Sequence, residues 1–137
     1  MRTIACGLLA GLVVNAVDIP NSALLVSPAW TRFLDAHGIA MNVPAVSAFY
    51  TTLHLLYGIA IVAAYGVCRA RLGPGTKSAL LVTGFLLAVH RAFGLGMVVM
   101  GTMPLAIYLA FSASMTVGSL LGGVLAARVY ERAAVAR

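Results

Sequence analysis

Four apolar stretches, each close to the length of a membrane crossing, alternate with short polar breaks along the chain. They run over about 3–26, 44–67, 78–100 and 104–127. An α-helix rises ~1.5 Å per residue, so about 20 residues cross the ~30 Å hydrocarbon core of a bilayer. The pattern predicts an all-α membrane protein. It forms a four-transmembrane-helix bundle in one domain over residues 1–137.

The breaks differ in kind. Residues 27–43 form the longest one and carry Trp30, Arg32, Phe33, Asp35 and His37. That mixture predicts a short interfacial helix between helices 1 and 2, with Trp30 at headgroup depth and His37 in solvent. The second break, Arg69 to Lys77, is a basic turn in which Gly73, Pro74 and Gly75 stop the helix. The third is only Gly101 to Pro104. Residues 128–137 read as a basic, soluble tail.

Composition settles which solvent the surface faces. Hydrophobic residues make up 62% of the chain and charged residues 9%, against roughly 25% in an ordinary soluble domain. Mean hydropathy is +1.03. Nine Lys/Arg and three Asp/Glu cannot clothe a water-facing globule of 137 residues, so lipid is the expected partner of most of the surface. The net charge of +6 raises nucleic acid as a ligand. The basic residues sit at the ends of apolar runs rather than in a patch, which argues for the positive-inside rule and against nucleic acid. Arg2, Arg69, Arg71, Lys77, Arg128, Arg132 and Arg137 fall on one side, and only Arg32 on the other. Both termini are therefore expected to be cytoplasmic, in a bacterial cytoplasmic (inner) membrane. Met1-Arg2 and the apolar run behind it resemble a signal peptide, but Asn15, Asp18, Pro20 and Asn21 follow without a small-x-small cleavage site. A retained first helix is expected. Cys6 and Cys68 lack a second Cys or a His at ligand spacing and read as small core residues.

Small residues recur every four positions: Gly7, Gly11 and Asn15; Gly84, Ala88, Ala92 and Gly96; Ser114, Gly118, Gly122 and Ala126. Such stripes let helix backbones approach closely, within one bundle or across a homodimer face. Ionisable groups in mid-membrane cost on the order of 2.5–3.5 kcal/mol each, so the ones that persist pair, bind something or line water. Here they are Asp18, His54, His90 and Arg91. Counted from the cytoplasmic ends, all four lie near one level just outside the midplane, with Ser112 and Ser114 beside them. At ~100° per residue Asp18 falls within ~20° of Gly7 and Gly11, and Arg91 within ~20° of Gly84. Both charges then point to the small-residue faces, and an intramembrane Asp18–Arg91 ion pair is expected. His90 points ~100° away from Arg91. On the second helix Tyr50, His54 and Tyr57 share one stripe. The candidate site is Asn15, Asp18, Tyr50, His54, Tyr57, His90, Arg91, Ser112 and Ser114.

The run Gly7-Leu-Leu-Ala-Gly-Leu-Val-Val-Asn15 with Asp18, and the run Arg71-Leu-Gly-Pro-Gly-Thr-Lys77-Ser-Ala, resemble small uncharacterised bacterial four-helix integral membrane proteins. The resemblance covers the hydropathy profile and brings no activity with it. No P-loop, zinc-ligand spacing, Cys-x-x-Cys or nucleophile–base pair is present, which points away from an enzyme. Two functions remain open. One is a non-enzymatic protein that takes a small ligand, ion or proton in its polar layer, without a cofactor. The other is an accessory subunit of a larger membrane complex, in which His54 and His90 would be the residues to hold haem b or a chlorophyll-type pigment.

Overall fold

The computed structural model describes residues 1–135, with side chains through Ala133. Arg137, counted in the charge asymmetry above, lies outside the described residues. Helix α1 (Arg2–Asn21) runs through a π-helical turn (Ser22–Val26) into α2 (Ser27–Asp35). Then follow α3 (Val43–Leu72), α4 (Thr76–Val99) and α5 (Leu105–Val135). Four helical stretches are long and apolar enough to cross a membrane, and the first of them is the unbroken run Arg2–Asp35.

The segment 27–43 is therefore not mainly a connection. Its first nine residues continue the first helix, and only 36–42 are non-helical. Pro20 removes one N–H from the α1 ladder. The π turn comes directly after it, the kind of local adjustment by which apolar helices tolerate proline. Asn42 starts α3 by accepting the Ala45 N–H at 3.2 Å. Gly73 and Gly75 hold φ of 80° and 118°, conformations that strain any side chain, and so turn the chain from α3 into α4. The basic tail is helical as far as it is described, since α5 continues to Val135.

The helices form an up-down-up-down ring in which α1 packs between α3 and α5, and α4 closes the ring on their far side. Glycine sets the spacing of the two α1 seams. A Cβ at Gly11 would lie 2.5 Å from Leu55 Cα, and one at Gly122 2.7 Å from the Ala10 carbonyl oxygen. The stripes on α1 and α5 thus face inward, as expected. The α4 stripe does not: Gly84 and Gly96 have open space where a Cβ would stand, and Ala88 and Ala92 are exposed. Only 17% of the apolar window of α4 is buried, against 44% for α5, so α4 is the peripheral helix.

One end of the bundle is tied by polar contacts. Arg69 pairs with Glu131 at 2.6 Å. Tyr65 donates its hydroxyl to Glu131 at 2.8 Å and accepts the Gly75 N–H at 2.9 Å. The Arg2 guanidinium lies 4.0 Å from the Tyr130 ring centroid. Helices α1, α3 and α5 and the Gly73–Gly75 turn meet there. Next to this cluster Cys6 is buried in the apolar core and Cys68 packs against it, both as free thiols.

Candidate functional site

The opposite half of the bundle holds a chamber of about 500 Å³. It opens where α1 continues into α2 and away from the α3–α5 contact. Its walls are apolar and aromatic: Val26, Trp30, Val46, Tyr50, Ile107 and Phe111. Met41, Met97 and Met103 line its outer rim. Asn15, Asp18 and His54 form its polar floor. The volume falls within the ~300–1,000 Å³ of small-molecule sites, and apolar walls with a few placed polar groups are their usual make-up.

The floor is organised by hydrogen bonds between helices. Asn15 accepts from His54 Nδ1 at 2.9 Å and donates its amide to the Thr51 carbonyl at 3.1 Å. This fixes the His54 tautomer: in the neutral ring Nδ1 carries the proton and Nε2 keeps its lone pair. His54 is only 2% exposed, and its Nε2 has no partner. Asp18, 3% exposed, accepts from Ser114 Oγ at 2.6 Å on one oxygen and from Ser22 Oγ at 3.0 Å on the other. Asn21 reinforces the cluster, donating to the Ala110 carbonyl at 3.1 Å and to Ser114 Oγ at 3.0 Å.

The expected site residues divide into three groups. Asn15, Asp18, Tyr50 and His54 face the chamber, and Ser114 supports Asp18 from behind. Tyr57 and His90 stand together outside the lining, their rings 5.9 Å apart, with His90 also 6.1 Å from Phe111. The Tyr57 hydroxyl, His90 Nε2 and the Ser112 hydroxyl are buried without partners. Arg91 is separate again. Its guanidinium binds the Ser112 carbonyl and the Thr116 hydroxyl on α5.

The expected Asp18–Arg91 ion pair is thus corrected. Asp18 is held by hydroxyls at the α1–α5 seam, while α4, on the far side of the ring, turns Arg91 along α5. Arg69–Glu131 is the ion pair found among the described residues. Asn21 and Ser22 extend the polar groups of the first helix beyond Asp18. From Asn15 to Ser22 they span eight residues of α1 and its continuation, a rise of ~10 Å along the helix. His37 is exposed, as expected, and its Nδ1 meets the Phe33 carbonyl at 2.7 Å.

Sequence reasoning missed Asn21, Ser22 and Phe111. Ser22 had a legible signal, standing four residues after Asp18 on the same helical face. Among the described residues no three His, Cys, Asp or Glu side chains cluster as a metal site. His54 reaches the chamber and His90 does not, so the two do not face one another across it. No family model, no curated protein and no solved structure matches this chain.

Proposed function

We propose that this is an integral protein of the bacterial cytoplasmic membrane, with both termini in the cytoplasm, that binds a small ligand in the chamber between α1, α3 and α5. One observation carries the reading: a 500 Å³ space walled by apolar side chains ends on a buried, hydrogen-bonded polar floor of Asn15, Asp18 and His54. A bundle that only fills lipid gains nothing from burying Asp18 and His54, because each costs free energy to place there. Binding rather than catalysis is favoured, since His54 has an amide on one nitrogen and no hydroxyl or thiol on the other. Filling the chamber tests this. Val46→Trp should abolish the rise in melting temperature that small amphiphiles give the unmodified protein in detergent. An equal rise in both would refute the reading. Orientation is tested with single cysteines in the Gly73–Gly75 turn of a Cys6→Ser, Cys68→Ser background. An impermeant maleimide should label them in inverted vesicles and not in intact spheroplasts.

A second reading, an accessory subunit or homodimer, is favoured by the outward-facing stripe of α4. A partner helix would pack there as α3 packs on Gly11. Cysteines placed at Ala88 or Ala92 should then cross-link in membranes, to a second copy or to another subunit. Absence of any cross-link would remove this reading. Haem or pigment bound through His54 would give a visible absorption band in the purified protein, lost in His54→Ala.

A further inference from the structure

We infer that the chamber selects an organic cation: an amphipathic molecule with a protonated amine at its head and an apolar body of modest length. This rests on the ligand-binding reading above and names the ligand class. The argument concerns which partners the floor lacks. Both unsatisfied functions there accept hydrogen bonds. As a carboxylate Asp18 can only accept, and the hydroxyls of Ser114 and Ser22 beside its two oxygens carry no charge to balance it. His54 keeps a lone pair on Nε2, buried and without a partner, because Asn15 holds the proton on Nδ1. Among the described residues no Lys or Arg lines the chamber. Arg91, the one basic side chain within the central part of the bundle, is engaged with α5.

An ammonium supplies what this set is missing, a positive charge and up to three donors. A carboxylate or phosphate head would meet a like charge, with neutral hydroxyls such as those of Ser27, Ser47 and Tyr50 as its donors and no cation to balance it. A neutral hydroxyl head would satisfy one acceptor and leave the charge uncompensated. Higher in the chamber Tyr50, Phe111 and Trp30 present aromatic rings, surfaces that attract a cation on its way in and then suit an apolar body. The ammonium can belong to a free amine or to the ethanolamine head of a lipid entering from the bilayer.

The chain carries its own reporter. Trp30 is its single tryptophan and lines the chamber. The experiment titrates octylammonium, octanoate and octanol into the full-length protein in phosphatidylcholine nanodiscs at neutral pH, reading Trp30 fluorescence. Octylammonium should give a saturable change, and neither of the other two should compete with it. Asp18→Asn should weaken octylammonium by about 30-fold or more, the effect of removing one partner of a desolvated charge pair. Octanoate or octanol binding as tightly as octylammonium would overturn the cation assignment while leaving a ligand chamber in place. An unchanged affinity in a folded Asp18→Asn protein would do the same. The head-group series on the unmodified chain decides the matter if that variant does not fold. Saturable binding by none of the three probes would overturn both the assignment and the ligand-binding reading. Nanodiscs containing phosphatidylethanolamine separate the two sources. Competition in proportion to its mole fraction supports the lipid head, and unchanged octylammonium affinity supports a free amine.

Discussion

Adding a single methyl group at Gly11 should damage the bundle, whereas the same change at Gly84 should not. A Cβ at position 11 would stand 2.5 Å from Leu55 Cα and 2.7 Å from the His54 carbonyl oxygen. Carbon–carbon contact is optimal near ~3.5–4.0 Å, so α1 and α3 must part by about 1 Å. Both obstructing atoms are backbone, so no rotamer change relieves them. Overpacking of this kind costs ~1–3 kcal/mol. Parting the helices also draws the 2.9 Å Asn15–His54 bond out of range, a further ~0.6 kcal/mol for an interhelical bond in a membrane protein. Alanine's helix propensity offsets ~1 kcal/mol at either position, since both are helix interiors. That gain cancels in the comparison, which leaves Gly11→Ala about 1.5–3.5 kcal/mol less stable than Gly84→Ala. Unfolding by sodium dodecyl sulfate from mixed micelles, followed by circular dichroism, measures the difference. Indistinguishable midpoints would refute the claim that glycine sets the α1–α3 distance.

Other consequences are as direct. Asp18→Asn and Arg91→Ala should act independently, with a double-mutant coupling below ~0.5 kcal/mol, because the two side chains share no partner. A coupling of 2 kcal/mol or more, the order expected of a buried ion pair, would restore the pairing that the helical-face argument suggested. Glu131→Gln should lower stability by only about 1 kcal/mol or less, since Arg69 and Glu131 are 31% and 22% exposed. The loss should shrink in high salt, and a salt-independent loss would place the effect in Tyr65 instead. Asn15→Leu removes the acceptor of His54 and the donor to Thr51, and should cost about 1–3 kcal/mol in the same unfolding assay. An unaltered midpoint would mean that these bonds contribute nothing to the fold.

What was legible in the sequence follows one line of physics. Hydropathy places helices because the requirement for lipid-compatible surface acts on each segment separately, and Gly73-Pro74-Gly75 marks a turn by its own chemistry. Inward faces on α1 and α5 were readable for the same reason, since Gly7, Gly11, Gly118 and Gly122 leave no other way for backbones to approach. Spacing within a helix does not fix how that helix is rotated in the bundle. The α4 stripe has the same four-residue period as the others and faces outward, which is why Arg91 was assigned to Asp18 and binds α5 instead. Asn15, Asp18 and His54 were identified individually, but the chamber was not. It exists because the first helix runs on to Asp35 and carries Trp30 over it. Glu131, the only glutamate in the chain, was passed over as part of a tail, although its partner Arg69 sits at the matching end of α3.

The π turn has a consequence for the phase of everything after it. A π turn accommodates one more residue than an α turn. Each residue advances the helix by ~100°, so the turn at Ser22–Val26 sets the azimuth of α2 relative to α1. With that residue in place, Asp18 at the floor and Trp30 at the wall address the same space, although twelve residues separate them. Removal of any one residue between 22 and 26 would let the turn close as regular α-helix with Trp30 still facing the opening, whereas reversion of the turn to α-helix with every residue kept would swing Trp30 about a quarter-turn off it. The alignment of floor and wall is therefore encoded by the extra residue together with the turn that absorbs it, so a one-residue deletion there should be milder than the same deletion in an unbroken α-helix.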